Sequence, residues 1–138
     1  GGNPVSCTGG HAVLDVLDGE QLPENARVVG GALRGMLREL RARFALIGDV
    51  RGIGLFSGAE LVNARDTLAP AAAQAAYIAE RMKQEGVLVG VDGALRNVLK
   101  IKPPMCFSAE DAETLARVLE GVLREDFAQP DERHAALK

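Results

Sequence analysis

Two lysines of this sequence have a spacing that would let them bind a ligand together. Lys100 and Lys102 lie two positions apart in the stretch Asn97–Lys102, where apolar residues alternate with them. This alternation is typical of a half-buried strand, and alternate residues of a strand share a face. Both ammonium groups are therefore predicted on one face, with Leu99 and Ile101 on the other. That face is either solvated or turned towards an anion.

The other residues that could carry chemistry are isolated from one another. His11 has no second catalytic group nearby in sequence, so we interpret it as a packing or surface residue. Cys7 and Cys106 lack metal-ligand spacing and are expected to be buried or half-buried thiols. Gly52 and Gly54 lack the third glycine of a dinucleotide-binding loop. With no Ser/His/Asp set, metal cluster or paired carboxylates visible, the residues alone indicate no reaction.

Composition limits the class of protein. The chain has 138 residues, of which 47% are apolar and 25% charged, and its net charge is -3. These values are ordinary for one soluble globular domain, and the acidic balance argues against a nucleic-acid partner. No apolar run reaches the roughly 18 residues of a membrane span, and no signal peptide opens the chain. We therefore expect a cytoplasmic protein without a membrane partner. The first methionine is Met36, which indicates either an engineered start or the tail of a longer protein.

Hydrophobic periodicity predicts the order helix, helix, strand, helix, strand, strand, helix. Pro103–Pro104 ends the last strand because proline donates no ladder hydrogen bond. Ser108 and Asp111 predict a capped start for the last helix. The predicted helices cover about 5–17, 23–44, 70–86 and 108–126, and the strands cover 48–62, 87–91 and 97–102. This order favours an α+β fold in which a small, mostly antiparallel three-stranded sheet carries helices on one face. Residues 1–20 would form a helix leading into a domain at 21–127, followed by a flexible tail at 128–138.

Three stretches together resemble the C-terminal portion of class III aminotransferases that depend on pyridoxal 5'-phosphate. They are Gly1–Cys7, Leu46–Leu55 and Asn97–Pro104, and the resemblance covers about residues 1–126. Within that class, the sequence from Asn97 to Phe107 most resembles the branch of ethanolamine-phosphate and phosphohydroxylysine phospho-lyases. The resemblance implies the small C-terminal domain of a fold-type I enzyme. Its partners would be the large cofactor-binding domain, a second copy in a homodimer, and a small amine or amino-acid substrate.

The same resemblance implies that the catalytic residues lie elsewhere. The Schiff-base lysine, the aspartate that pairs with the pyridine nitrogen and a phosphate-binding threonine would precede Gly1, so no catalytic residue and no metal ligand is expected here. Gly1 and Gly2 are the candidates for cofactor contact. The candidate substrate-binding residue is Lys100, because many relatives have arginine at that position near the substrate. Lysine keeps the charge but loses the bidentate fork for a carboxylate, which fits a phosphate-bearing substrate better.

Three functions stay open at this point. The first is amino transfer between an amino donor and a 2-oxo acid, and the second is phosphate elimination from an amino-alcohol phosphate such as ethanolamine phosphate. Both would belong to the full-length enzyme, and the chain alone is predicted to be inactive. The third is a stand-alone interaction or regulatory domain that uses the same fold.

Overall fold

The computed structural model describes residues 2–128. Two helices, α1 (Pro4–Gly19) and α2 (Leu22–Arg43), precede the sheet. The elements that follow are β1 (Ile47–Ile53), β2 (Phe56–Ala64), β3 (Ala69–Pro70), α3 (Ala72–Gln84), β4 (Gly90–Asp92), β5 (Val98–Ile101), α4 (Ala109–Leu123) and a 3₁₀ turn at Asp126–Ala128. This is the mixed fold of helices and antiparallel strands that the element order predicted.

The sheet is antiparallel, with the strand order β1-β2-β5-β4, and the short β3 pairs with β2. The prediction of three strands was wrong, because the described part of the chain has five. The predicted single strand at 48–62 is a hairpin, in which Gly54 turns the chain with a φ of 50°. A loop expected at 63–69 contains the end of β2 and the start of β3, and the strand expected at 87–91 begins only at Gly90.

The helices cover one face of this sheet. Leu99 and Ile101 of β5 and Ala59 and Leu61 of β2 are buried on that face. Helix α2 meets them with an apolar stripe of Leu33, Leu37 and Leu40, and α3 and α4 supply further core residues, among them Ala75, Ile78, Met82, Leu115 and Leu119. The alternation that the sequence predicted for β5 is therefore confirmed. Burial of each large apolar side chain of this core stabilises the fold by about 1.5–3 kcal/mol.

Helix α2 also holds the tip of the β1–β2 hairpin through a glycine. A Cβ atom at Gly30 would lie 1.8 Å from the carbonyl oxygen of Gly54. Only a residue without a side chain allows the helix and the hairpin backbone to come this close. One turn further along α2, Arg34 donates a hydrogen bond to the same carbonyl. The hairpin tip is thus fixed against the helix by backbone contact.

The segment after Pro103–Pro104 is fixed at both ends. The Ser108 hydroxyl accepts a hydrogen bond from the Asp111 N–H at 3.1 Å, and the Ser108 N–H donates to the Asp111 carboxylate at 2.9 Å. This reciprocal capping box confirms the predicted helix start. From the other side, the Asn25 amide donates to the carbonyl of Met105 at 2.7 Å, which ties the segment to α2.

Helix α1 lies apart from the core and contacts α2. No residue of α1 is buried, and large apolar side chains such as Val5 and Leu14 are exposed on it. His11 is exposed, as expected for a surface residue. The prediction of buried or half-buried thiols was wrong, because Cys7 and Cys106 are both exposed. Between residues 2 and 128, no helix has the length and apolar character needed to cross a membrane. Except for Ala128, the tail predicted at 128–138 lies outside the described residues.

Candidate functional site

The face of the sheet turned away from the core helices carries charged side chains in two rows, and we call it the open face. The register places Arg51 of β1 opposite Gly58 of β2, and Gly58 opposite Lys100 of β5. Lys100 is in turn opposite Gly90 of β4. Side chains opposite one another in a sheet share a face. A first row therefore contains two cations, Arg51 and Lys100, with glycines beside them.

The neighbouring row of the open face is acidic. It consists of Asp49, Glu60, Val98 and Asp92, which are paired in that order across β1, β2, β5 and β4. Each cation of the first row is paired with a carboxylate of this row. The Lys100 Nζ lies 2.6 Å from Asp92 Oδ2, while Arg51 lies 2.6 Å from Glu60 and 3.0 Å from Asp49.

These pairs set the electrostatics of the open face. The hydrogen bond from Lys100, followed by one from the Gly93 N–H, holds the pKa of Asp92 below its usual range. The hydrogen bonds to Glu60 and Asp49 raise the pKa of Arg51. The side chains of both pairs are about half exposed. Ion pairs in such contact with water stabilise a fold only weakly, so these groups can exchange partners at low cost.

A cleft of about 530 Å³ opens on this face beside the hairpin tip. Its apolar wall is formed by Ile53, Phe56 and Val98, and its charged wall includes Arg51, Asp92 and Lys100. Lys102 is on the same side of the sheet, with its Nζ 5.9 Å from the centroid of the Phe56 ring, which is within the range of a cation–π contact. A concave, mostly apolar surface with a few charged groups is typical of small-molecule sites.

The structure places the candidate residues of the sequence at different locations. Lys100 lines the cleft, whereas Lys102 follows β5 and lies outside the cleft lining, with its Nζ near the Phe56 ring. Gly2 is exposed ahead of α1 with a φ of 96°, and a Cβ atom there would have no heavy atom within 4 Å. Gly1 lies outside the described residues.

Sequence reasoning missed Arg51 and Asp92 as neighbours of Lys100. The sequence pattern gives no signal for a charged site at Asp92, and it predicts one strand at 48–62 where the structure has the hairpin that brings Arg51 to the open face. The signal that could have found them was the pair of glycines at 52 and 54. Gly52 has a φ of 151°, and a Cβ there would lie 2.2 Å from the carbonyl oxygen of Phe56. Glycine in such places is typical of a tight turn between strands.

The surroundings of the described lysines bear on whether one of them could form a Schiff base with pyridoxal phosphate. A lysine that forms a Schiff base is activated by a desolvated pocket or by a second cation. Lys83 is exposed and paired with Glu80 at 3.2 Å, Lys100 is paired with Asp92, and Lys102 is exposed. At the start of α1, the Val5 N–H already donates to the Asn3 side chain at 2.9 Å. That no catalytic residue lies in this chain stays a prediction.

Comparison with known proteins identifies the family. The family described as "Aminotransferase class-III" matches residues 1–123, and the chain belongs to this family. It is 46% identical over 120 residues to "Alanine--glyoxylate aminotransferase 2 homolog 2, mitochondrial" from Arabidopsis thaliana, covering 87% of this chain. Since it covers 25% of that relative, the chain spans about a quarter of the relative's length.

Solved structures agree with this assignment. A phospholyase from Arthrobacter in complex with phosphoethanolamine superposes with a TM-score of 0.83 at 38% identity, covering 88% of this chain and 29% of that one. An amine transaminase from an uncultivated Pseudomonas species, in its pyridoxal-phosphate-bound internal aldimine form, superposes with a TM-score of 0.78 at 36% identity. That match covers 86% of this chain and 27% of the transaminase. The resemblance to class III aminotransferases, including the phospho-lyase branch, is therefore confirmed.

Proposed function

We propose that the protein carrying this chain is a pyridoxal-phosphate-dependent aminotransferase, which transfers an amino group between an amino donor and a 2-oxo acid. The family match over residues 1–123 supports this proposal. When bound, the cofactor supplies the electron sink for chemistry at the carbon that carries the amino group. In this proposal the cofactor is held by parts of the enzyme outside the chain, in a homodimer. Residues 1–20 would lead into the C-terminal domain at 21–127.

The contribution of this chain to the reaction would be substrate binding. The observation that carries this proposal is the position of Lys100 in the cleft of the open face, beside the apolar wall of Ile53 and Phe56. An ammonium group there can bind the anionic end of a substrate as a point charge. The apolar wall can pack against the carbon skeleton and exclude water from it, which strengthens the ionic contact.

A second candidate reaction is elimination of phosphate from an amino-alcohol phosphate. It is supported by the 38% identity to a phospholyase whose structure contains phosphoethanolamine. It is also supported by lysine at position 100, since a lysine ammonium is a common partner of phosphate, whereas a bidentate carboxylate contact needs the fork of an arginine. A stand-alone regulatory domain is the third candidate, and the mass of the intact gene product tests it directly. The cellular location stays a prediction: we expect the cytoplasm, whereas the A. thaliana relative is named mitochondrial.

The test is Lys100→Ala in the full-length protein, with amino transfer and phosphate release measured in parallel. We expect kcat/KM for the true substrate to fall on the order of 10- to 100-fold, which corresponds to a charged hydrogen bond of about 1.5–3 kcal/mol. Lys83→Ala is the matched control, because Lys83 is an exposed, paired lysine on α3 outside the cleft lining. Equal kcat/KM in the Lys100 variant, the Lys83 variant and the parent protein would refute substrate binding by Lys100.

A further inference from the structure

Lys100 has no side chain directly beside it on either neighbouring strand. Its partners across the ladder are Gly58 of β2 and Gly90 of β4. The ammonium group therefore reaches diagonally to Asp92, which lies opposite Val98 in the next row. A long side chain between two glycines is free to change rotamer. Lys100 can leave Asp92 without displacing another side chain of its own row.

Asp92 has a second hydrogen-bond partner in addition to Lys100. Its Oδ1 accepts a hydrogen bond from the Gly93 N–H at 2.8 Å, and its Oδ2 accepts the one from Lys100 at 2.6 Å. Gly93 has a φ of 87°, where a side chain would be strained. The turn thus holds one carboxylate oxygen on the backbone and aims the other at the lysine. The Asp92 carboxylate is thus an anion of the chain itself, bound to Lys100, the proposed anion-binding residue.

We propose that Asp92 is a positioning residue that competes with the substrate's anionic end for Lys100. With the cleft empty, the Asp92 carboxylate keeps the ammonium group paired and the lysine directed towards β4. An incoming phosphate or carboxylate must replace this contact, so Asp92 lowers the affinity of the cleft for every anion. This inference rests on the proposed role of Lys100 in substrate binding.

The test measures binding of inorganic phosphate to the full-length protein by calorimetry, with the cofactor loaded so that its own phosphate site is filled. Asp92→Asn keeps the side-chain oxygen that Gly93 needs and replaces the one that faces Lys100 with an amide. Since an exposed ion pair is a weak competitor, we expect phosphate to bind about two- to fivefold more tightly. In a Lys100→Ala background the same change should give no gain.

Glu39→Gln is the control, since it removes an equal charge from an exposed residue of α2 outside the cleft lining. An equal gain in both variants would assign the effect to net charge and overturn the proposal, as would unchanged or weaker binding in Asp92→Asn. Failure of the proposed function gives a different result, in which Lys100→Ala alone leaves phosphate affinity unchanged. A melting temperature for each variant distinguishes disruption of the turn at Asp92 and Gly93 from removal of the carboxylate that competes for Lys100.

Discussion

Replacing Gly30 with alanine is expected to destabilise the fold strongly, although alanine is the better helix former. A Cβ atom at this position would lie 1.8 Å from the Gly54 carbonyl oxygen and 2.9 Å from the Leu55 nitrogen. Both are backbone atoms, so no side-chain rotation relieves the clash, and α2 or the hairpin must move. Overpacking of this kind costs typically about 1–3 kcal/mol and occasionally more, against a gain in helix propensity of about 1 kcal/mol.

Because the clash is with backbone atoms, its cost should lie at the upper end of that range, about 3 kcal/mol, and the net loss should be about 2 kcal/mol. The neighbouring glycine provides the control. A Cβ at Gly31, which is exposed on the same helix, would have no heavy atom within 4 Å. Gly31→Ala should therefore stabilise the chain by about 0.5–1 kcal/mol. Urea unfolding of the 138-residue chain, followed by circular dichroism, gives both free energies on one scale. If the two variants were equally stable, the close approach of α2 to the hairpin would be refuted.

Two further predictions concern surfaces of the chain. Arg43 of α2 and Arg124 lower the pKa of Glu120 from 4.5 to about 2. The ionised carboxylate therefore stabilises the fold above about pH 4.5, and this stabilisation is lost as the pH falls towards 2. Glu120→Gln should therefore unfold at a lower temperature at neutral pH, and a difference that persisted unchanged at pH 2 would contradict the assignment. The exposed apolar residues of α1, including Val5 and Leu14, should make the isolated chain self-associate; sedimentation showing a monomer at all concentrations would contradict this.

The parts of the fold that the sequence predicted correctly are those with a local cause. Burial alternates along β5 because Leu99 and Ile101 are apolar and Lys100 between them is not, and this pattern needs no knowledge of the neighbouring strands. The start of α4 was predictable because Ser108 and Asp111 satisfy one another's backbone groups. In both cases the information lies within a few consecutive residues.

The hairpin could not be read in this way, because its apolar alternation continues across the turn. Ile53 and Leu55 look like residues of one strand face, but Ile53 is 80% exposed and Leu55 is 6% exposed. The difference arises from Gly54, whose φ of 50° reverses the chain between them. The contact with Gly30 that holds this turn involves a residue far away in sequence. A pattern confined to one stretch contains no trace of that partner.

The charged site depends on the same long-range register. Arg51, Lys100 and Asp92 belong to three different strands, and a shift of one residue in any pairing would move its side chain to the buried face. The sequence left open whether the face of Lys100 is solvated or turned towards an anion. In the structure both alternatives hold, because the face is exposed and Lys100 also contacts an anion. That anion is Asp92 of the same chain. A carboxylate at that position keeps the lysine paired in water and leaves a contact that an anion from outside can replace.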